Sequence, residues 1–252
     1  MIPAINNIML LTFNLQQDKI MHTHYKHQDL GSANHGWLDA RHHFSFASYH
    51  NPKRMGFGAL RVINDDIIKA GTGFDTHPHK NMEIITYVRK GAITHKDSNG
   101  NEGRTEAGDV QVMSAGTGIY HSEFNMENED TNIFQIWIEP NEIDVEPRWG
   151  SYEFPKEAAI DALTLLVSGD GNAPLSIYQD ASIYAGSLAE GSTLDHPIKH
   201  QAYVLVSEGS LDLDGHILNK GDGMEVVDVS SMTIKALKYA KMLVIDIPVN
   251  TG

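Results

Sequence analysis

The chain contains no cysteine among its 252 residues, and it is poor in basic residues, with 19 Lys and Arg against 33 Asp and Glu. The first absence excludes disulfides, zinc–thiolate sites and thiol nucleophiles. The formal net charge of −14 argues against a general affinity for nucleic acid or for an anionic membrane surface. What the chain does have is fourteen histidines. Any metal bound here must therefore use nitrogen and oxygen ligands.

Long hydrophobic runs are also missing. The apolar patch near the N-terminus covers only Ile8 to Phe13, which is too short to span a bilayer. The first twenty residues lack the basic region and the small-residue cleavage site of a signal peptide. Met21 is a second plausible start, so we interpret residues 1–20 as an extension outside the fold. The expected location is the cytoplasm, with no membrane attachment and no direct binding to nucleic acid.

From Gly58 onward the sequence consists of short β-forming runs separated by Gly, Asn and Asp. Many short strands at regular spacing, with turn residues between them, indicate a β-sandwich or barrel. Two separate strands are predicted at Ala59–Asn64 and Ile67–Lys69, and helical periodicity is almost absent apart from weak candidates near Pro155–Ile160. The sequence therefore predicts an all-β fold.

An internal repeat divides this all-β region. Tyr87–Ile93 resembles Leu205–Leu211, and each is a strand–Gly–strand hairpin. A Gly-Asp turn that leads into another strand follows each hairpin, at Gly108-Asp109 and at Gly221-Asp222. The stretch Pro140–Pro155, rich in proline and acidic residues, is interpreted as the connector. The expected architecture is two β-barrels in tandem, each resembling a jelly roll.

Two pairs of polar residues suggest a metal site. His77 and His79 flank Pro78, and His121 and Glu123 have the same spacing of two residues. In a strand, side chains at i and i+2 point to the same face. If the two strands are neighbours, three imidazoles and one carboxylate converge. Such a 3-His-1-Glu set suits a divalent first-row metal, and Pro78 places the segment at a strand end or bulge.

Longer motifs carry a family resemblance. Gly71 through His77, His79 and Glu83 to Gly91 resembles the first cupin motif, and Gly108 to Asn125 resembles the second. More specifically, "ANHGWLDARHHFSFASY", "MGFGALRVINDD", "THPHKNMEIITYV" and "MSAGTGIYHSEFN" resemble the pirin family, particularly its bacterial members with quercetin 2,3-dioxygenase activity. The match runs from about Gly31 to the end of the chain.

The resemblance implies a ligand set and a reaction. The metal ligands are expected to be His77, His79, His121 and Glu123, whereas Glu83 is not a ligand in pirins. One divalent transition metal is expected per chain, with Fe(2+) favoured and Zn, Mn, Co, Ni or Cu as alternatives. The implied reaction opens the ring of a flavonol such as quercetin, or of a catechol-like substrate, with O2, and Glu123 would be both ligand and proton acceptor.

Other functions remain open at this point. Some pirins are regulators that bind a partner protein and use the oxidation state of iron as a switch, and the same four ligands would serve them. The ligand set alone equally fits an oxidase, an isomerase, a hydrolase or a metal-stabilised scaffold. An enzyme needs an open apolar cavity beside the metal, whereas a regulatory switch does not need one.

The two halves of the repeat are expected to differ in function. The predicted domains are a metal-binding cupin at residues 21–145 and a degenerate cupin at 146–252. Alignment of the two Gly-Asp turns places Ile234 and Ala236 opposite His121 and Glu123, so the ligand set is missing from the second half. We expect the C-terminal barrel to bind no metal and to bury apolar surface against the first.

The remaining histidines carry weaker expectations. Those of the polar stretch before the recognisable fold, at positions 22, 24 and 27, are interpreted as solvated or disordered. His42 is assigned to structural packing near Phe44 and Phe46, with the pocket mouth as a lesser alternative. His43 and His95 carry no pattern.

Overall fold

The structure is a computed structural model that describes residues 22–155 and 160–249, and these residues fold almost entirely into β-strands. A 3-10 turn at His27–Asp29 is the single helical element of the described ranges. The helical candidate near Pro155–Ile160 falls mostly on residues outside them. Within those ranges no helix has the length and hydropathy needed to cross a membrane. The predicted all-β fold is confirmed.

The N-terminal barrel consists of two facing sheets. Its strands are β2 (Gly31–Asn34), β3 (Leu38–His42), β4 (Leu60–Ile68), β5 (Gly73–His79), β6 (Glu83–Lys90), β7 (Ala92–Asp97), β8 (Glu102–Glu106), β9 (Val110–Ser114), β10 (Ile119–Phe124), β11 (Thr131–Ile138) and β12 (Arg148–Tyr152). The larger sheet has seven strands in the order β12-β9-β6-β11-β4-β3-β2, and the smaller has four in the order β5-β10-β7-β8. Strand β4 runs unbroken through the two aspartates at which the sequence predicted a gap.

The C-terminal barrel repeats this plan. Its seven-stranded sheet has the order β1-β20-β17-β22-β15-β13-β14, and its four-stranded sheet has the order β16-β21-β18-β19. The two orders correspond apart from one edge, where β14 pairs with β13 in parallel and β2 pairs with β3 antiparallel. This correspondence confirms the internal repeat. The strands are β1 (Thr23–Tyr25), β13 (Ala162–Ser168), β14 (Leu175–Ser176), β15 (Ser182–Leu188), β16 (Thr193–Pro197), β17 (Gln201–Glu208), β18 (Ser210–Leu213), β19 (His216–Asn219), β20 (Gly223–Val226), β21 (Ser231–Ala236) and β22 (Ala240–Ile247).

The edge strands beside β9 and β20 come from distant parts of the chain. Strand β12, inside the predicted connector, pairs with β9 of the N-terminal barrel, and β1 pairs with β20 of the C-terminal barrel. The interpretation of the stretch around β1 as solvated or disordered is wrong. His24 contacts the carboxylate of Asp222 at 2.9 Å, and the main-chain N–H of His27 donates to the same side chain at 2.8 Å. Local sequence cannot reveal this pairing, because the partner lies about 200 residues away.

The largest apolar core lies between the two seven-stranded sheets. Strand alternation produces it: on β6, Ile85 faces the second barrel, whereas Ile84 faces the interior of the first. Residues of both barrels join in this one cluster, including Phe134 from the first and Leu243 and Ile245 from the second. This confirms the expectation that the C-terminal barrel buries apolar surface against the N-terminal one.

Candidate metal centre

Strands β5 and β10 bring three of the predicted ligands together. The strands are antiparallel neighbours in which His121 pairs with His77 and Ile119 pairs with His79. Directly paired residues of an antiparallel ladder project to the same side. The ligand atoms of His77, His79 and His121 consequently lie within 4.8 Å of one another. His79 is the last residue of β5, so the segment lies at a strand end, as Pro78 suggested. A register shift between His121 and Glu123 marks a bulge further along the same ladder.

Two of the three imidazoles are held in the neutral state that a metal requires, and a main-chain carbonyl orients the third. Burial, together with neighbouring imidazoles, lowers the pKa of His79 to about 4 and that of His121 to about 3. Both rings are therefore neutral near pH 7 and keep a lone pair for coordination. The main-chain carbonyl of Asp75 lies 2.6 Å from Nδ1 of His77, an acceptor that places the proton there and leaves Nε2 with its lone pair.

Unpartnered nitrogen atoms supply an independent test of metal binding. Nε2 of His79 and both ring nitrogens of His121 are buried without a hydrogen-bond partner among the described residues. Buried polar groups are almost always hydrogen-bonded, because an unpaired one loses its hydration without compensation. Three converging imidazoles, two of which have such atoms, fit a divalent transition metal that would satisfy them.

Glu123 lies next to this cluster but has partners of its own. Its carboxylate is buried, and Oε1 accepts hydrogen bonds from Thr86 Oγ1 at 2.9 Å and from Gln111 Nε2 at 2.6 Å. Oε2 accepts one from Gln135 Nε2 at 2.7 Å. The structure thus brings together the three predicted histidines, while the predicted carboxylate is held by three neutral donors beside them. Ligation by Glu123 stays a prediction.

Glu83 faces away from the imidazoles. It lies on the side of β6 that is directed at the second barrel, where Ser114 Oγ donates to its Oε2 at 2.7 Å. Burial raises the pKa of this carboxyl group, and Arg148 opposes the shift. The opposite side of β6 presents Thr86 to Glu123. Strand geometry therefore separates the two glutamates, which sequence parity alone could not do.

A cavity of about 610 Å³ opens beside the imidazoles. His77 and His79 form one side of it, and Gln135 connects it to the carboxylate of Glu123. The indole of Trp137 meets the His79 ring edge-on, with the ring centroids 4.8 Å apart. We call this space the metal-side cavity; its aromatic walls are Trp37, Phe46, Phe74, Phe124 and Trp137.

One residue at the centre was missed by the sequence reasoning. His95 is buried, its ring centroid lies 5.3 Å from that of His121, and its Nε2 is 3.0 Å from Asp97 Oδ2. The ring stacks on Trp149 at an interplanar angle of 9°. The signal that could have revealed it is the spacing of two between His95 and Asp97, the same as in the ligand pairs. His42 instead packs against Phe46 as predicted, with the ring centroids 5.5 Å apart, and its Nδ1 lies 2.8 Å from Asn64 Oδ1.

The corresponding region of the second barrel holds no such group among the described residues. Ile234 and Ala236, which align with His121 and Glu123, are buried in an apolar cluster with Met232 and Met242. His196 is also buried in this barrel, but its ring contacts Tyr184, with the centroids 4.8 Å apart. Aliphatic side chains and methionines fill the space that imidazoles occupy in the first barrel.

Comparison with known proteins agrees with this division. The family model described as Pirin matches residues 22–138, which cover the three imidazoles and Glu123. A second model, described as a quercetinase C-terminal cupin domain, matches residues 165–247. The two matches correspond to the metal-site barrel and to the apolar barrel.

The matches to individual relatives extend over nearly the whole length of each relative. A "Pirin-like protein" of Caulobacter vibrioides is 50% identical over 221 residues, which are 86% of this chain and 95% of that protein. A "Quercetin 2,3-dioxygenase" of Escherichia coli is 42% identical over 227 residues, which are 88% and 97% of the two chains. The crystal structure of the bacterial pirin YhhW from Escherichia coli in complex with nickel(II) matches with a TM-score of 0.86 at 41% identity, covering 91% of this chain and all of that one. By sequence and by fold, the chain belongs to the pirin family.

Proposed function

We propose that the protein is a metal-dependent dioxygenase that cleaves a flavonol such as quercetin with O2, at a centre formed by His77, His79, His121 and Glu123. The observation that carries the proposal is the metal-side cavity, because it joins aromatic walls to two of the imidazoles. Its volume of about 610 Å³ lies within the usual range for small-molecule sites. The relative named quercetin 2,3-dioxygenase supports the choice of substrate class.

The aromatic walls bind and orient the substrate. Trp37 and Phe74 meet edge to face with ring centroids 5.1 Å apart, and Phe46 meets Trp137 in the same way at 5.4 Å. A planar flavonol that enters between these pairs buries its rings on apolar surface and presents its hydroxy-ketone edge to the imidazoles. The same walls exclude water from that edge.

Proton transfer is assigned to Glu123. Gln135 lines the cavity and donates to Glu123 Oε2, so a single side chain connects this buried carboxylate oxygen to the space in which substrate binds. We assign to Oε2 the proton that leaves the substrate hydroxyl group, with Thr86 and Gln111 holding Oε1 in place. A divalent metal, Fe(2+) by preference, would be held by the three imidazoles and would supply Lewis acidity and a site for O2.

Oxygen uptake on a flavonol panel tests the proposal. The protein is prepared without oxygen, loaded separately with Fe(2+), Ni(2+) and Mn(2+), and mixed with quercetin and O2. We expect O2 consumption that matches the loss of flavonol absorbance, and we expect neither in the His121→Ala protein. The matched control is His196→Ala, which removes a buried imidazole from the apolar barrel and should retain parental turnover.

The same experiment addresses the regulatory alternative. A redox-sensing regulator would consume no O2 with any metal and any flavonol, although it would still bind iron. Such an outcome contradicts the proposed activity and leaves the metal centre itself intact.

A further inference from the structure

A second cavity adjoins the metal-side cavity. It has a volume of about 360 Å³ and shares two walls with the first, Phe46 and Trp137. Apart from Met82, its other walls come from two motifs, "FSFASYH" and "MGFGALRV", of which the proposed reaction uses only Phe46. Among them are Tyr49, Met55 and Arg61. We call this space the bulge cavity, because a strand irregularity forms one side of it.

A bulge in β4 directs Arg61 into this cavity. Val62 pairs with Trp137 on β11 and Leu60 pairs with Ile138, so Arg61 between them has no partner on that strand. Such an extra residue changes the direction of its side chain, and bulges are over-represented beside active sites. The bulge thus places Arg61 in the lining of a cavity that Trp137 also lines, and Trp137 is a wall of both cavities.

The positive charge of Arg61 has no anionic partner among the described residues. Its Nη1 donates to the main-chain carbonyls of Met55 and Ser45, which are neutral acceptors. These bonds fix the plane of the guanidinium and leave further N–H donors for a ligand. Arg61 is therefore a cation beside an aromatic cavity in a chain of net charge −14.

Another wall of the cavity is built around a strained turn. Phe46 and Tyr49 bond to each other through both main-chain groups, at 3.0 and 2.9 Å, and Ala47 between them has a φ of +48°. An alanine with positive φ is uncommon, and such strain persists mainly where the surroundings require it, often at ligand sites. The turn holds the aromatic rings of both residues at the cavity.

We propose that the bulge cavity is a subsite for an anionic substituent, a carboxylate or a sulfate, on the aromatic substrate whose rings lie in the metal-side cavity. Arg61 binds this oxyanion by charge-assisted hydrogen bonds. Phe46 and Trp137, which line both cavities, contact the part of the substrate that lies between them. The inference rests on the proposed function, since it assigns an acidic aromatic substrate to the same centre.

Binding under nitrogen tests the subsite without requiring turnover. The probes are 3-hydroxyflavone and its derivatives with a carboxylate or a sulfate on the pendant phenyl ring, and the signal is quenching of tryptophan fluorescence in the Fe(2+)-loaded protein. We expect one or both anionic probes to bind about tenfold more tightly than the neutral one, as for a hydrogen bond to a charged group. The comparison of the two anions identifies which one the subsite prefers.

Arg61→Gln removes the charge, so the ratio of the affinity for the anionic probe to the affinity for the neutral probe should fall to about one. The affinity for neutral 3-hydroxyflavone should be unchanged. The control Arg41→Gln removes a cation beside Asp39, outside both cavities, and should keep the preference. Equal affinities in the parent protein, or a preference that survives Arg61→Gln, overturn the proposal. If Arg61→Gln does not fold, the salt dependence of the parental preference decides: loss in high salt supports the subsite, and an unchanged preference refutes it.

Failure of the subsite and failure of the dioxygenase proposal are distinguishable. A charge preference without O2 consumption by any probe contradicts the dioxygenase alone. Conversely, O2 consumption without a preference contradicts the subsite alone, and the absence of quenching by every probe contradicts both.

Discussion

The two barrels of this chain share a strand order but fill their interiors in opposite ways. The first places His121 and Glu123 on the inner side of β10, and the second places Ile234 and Ala236 at the aligned positions of β21. In both, strand alternation decides which residues point inwards. The fold therefore supplies a set of interior positions, and the side chains at these positions decide whether they perform chemistry or stabilise the structure.

The contrast between a polar interior in the first barrel and an apolar interior in the second affects the stability of the chain. The first barrel buries imidazole nitrogens that lack partners, and each such group reduces the stability of the metal-free chain. The second barrel buries an apolar cluster, and the interface between the barrels buries another to which both contribute. Apolar burial in the second barrel and at the interface offsets the polar interior of the first.

The largest expected effect is loss of the metal from the first barrel. We predict that His121→Ala reduces metal content from one per chain to near zero, because one of the converging imidazoles is gone. Turnover should fall by more than the roughly 10–100-fold that changes around the ligands usually cause. Metal analysis by mass spectrometry and O2 uptake measure the two effects. Full occupancy in this variant, or two metals per parental chain, would refute the assignment.

Next in size is the effect of removing the charge of Glu123. Glu123→Gln keeps the side-chain volume and one oxygen donor, and its neighbours Gln111 and Gln135 can reorient their amides to match. If Glu123 accepts the substrate proton, the rate per bound metal should fall about 10²–10⁴-fold while appreciable metal remains. Rate and metal content are measured on the same sample. A nearly parental rate per metal contradicts the role as base and leaves a structural role.

A change at Ile234, which aligns with His121 in the second barrel, should lower stability and leave metal binding intact. Ile234→Ala leaves a cavity in the apolar cluster and should lower the free energy of unfolding by about 2–5 kcal/mol. Metal content and turnover at low temperature should stay parental. Urea unfolding and metal analysis together check this. A variant that keeps its stability but loses its metal would mean that the second barrel contributes to the centre.

The sequence predicted those features of the two barrels that depend on local spacing. The two ligand pairs and the repeated Gly-Asp turns are each visible within a few residues, because strand parity and turn chemistry act locally. The pairing of β1 with β20, the bulge at Arg61 and the contact of His95 with His121 were not predicted. Each depends on which distant strand lies alongside. The spacing of His95 and Asp97 is a local signal, but it does not specify that β7 lies beside β10.

The response to acid should also distinguish the first barrel. Burial lowers the pKa values of His79 and His121 from 6.5 to about 4 and about 3 in the folded chain. Between these values and 6.5 the unfolded state binds more protons, so the stability of the chelator-treated protein should fall as the pH falls through this window. Each group contributes at most ~1.4 kcal/mol per pH unit, and less where solvent screens it.

A non-titrating replacement isolates this contribution. His121→Phe should show a shallower loss of stability than the parent between pH 6.5 and the acid limit of folding. Urea unfolding at several pH values, with both proteins free of metal, measures the difference. Parallel curves would mean that the histidine is as readily protonated in the folded chain as in the unfolded one.

The smallest expected effect concerns the edge strands, at which the two barrels draw on distant parts of the chain. We predict that a chain beginning at Met21 folds and binds metal like the parent, because β1 at Thr23–Tyr25 is retained. The matched control begins at His27 and lacks β1. It loses the ring of Tyr25, over which the buried guanidinium of Arg54 lies 3.5 Å from the ring centroid. Since Arg54 also binds Glu225 of the second barrel, this control should lower the Tm by at least about 4 °C, roughly 1–2 kcal/mol for a chain of this size.

Calorimetry of both shortened chains checks the pair of expectations. Insolubility of the chain beginning at Met21 would show that the fold needs the apolar patch Ile8–Phe13 and that the predicted boundary after residue 20 is wrong. Equal Tm values for the two shortened chains would mean that β1 adds no stability to the barrel it joins.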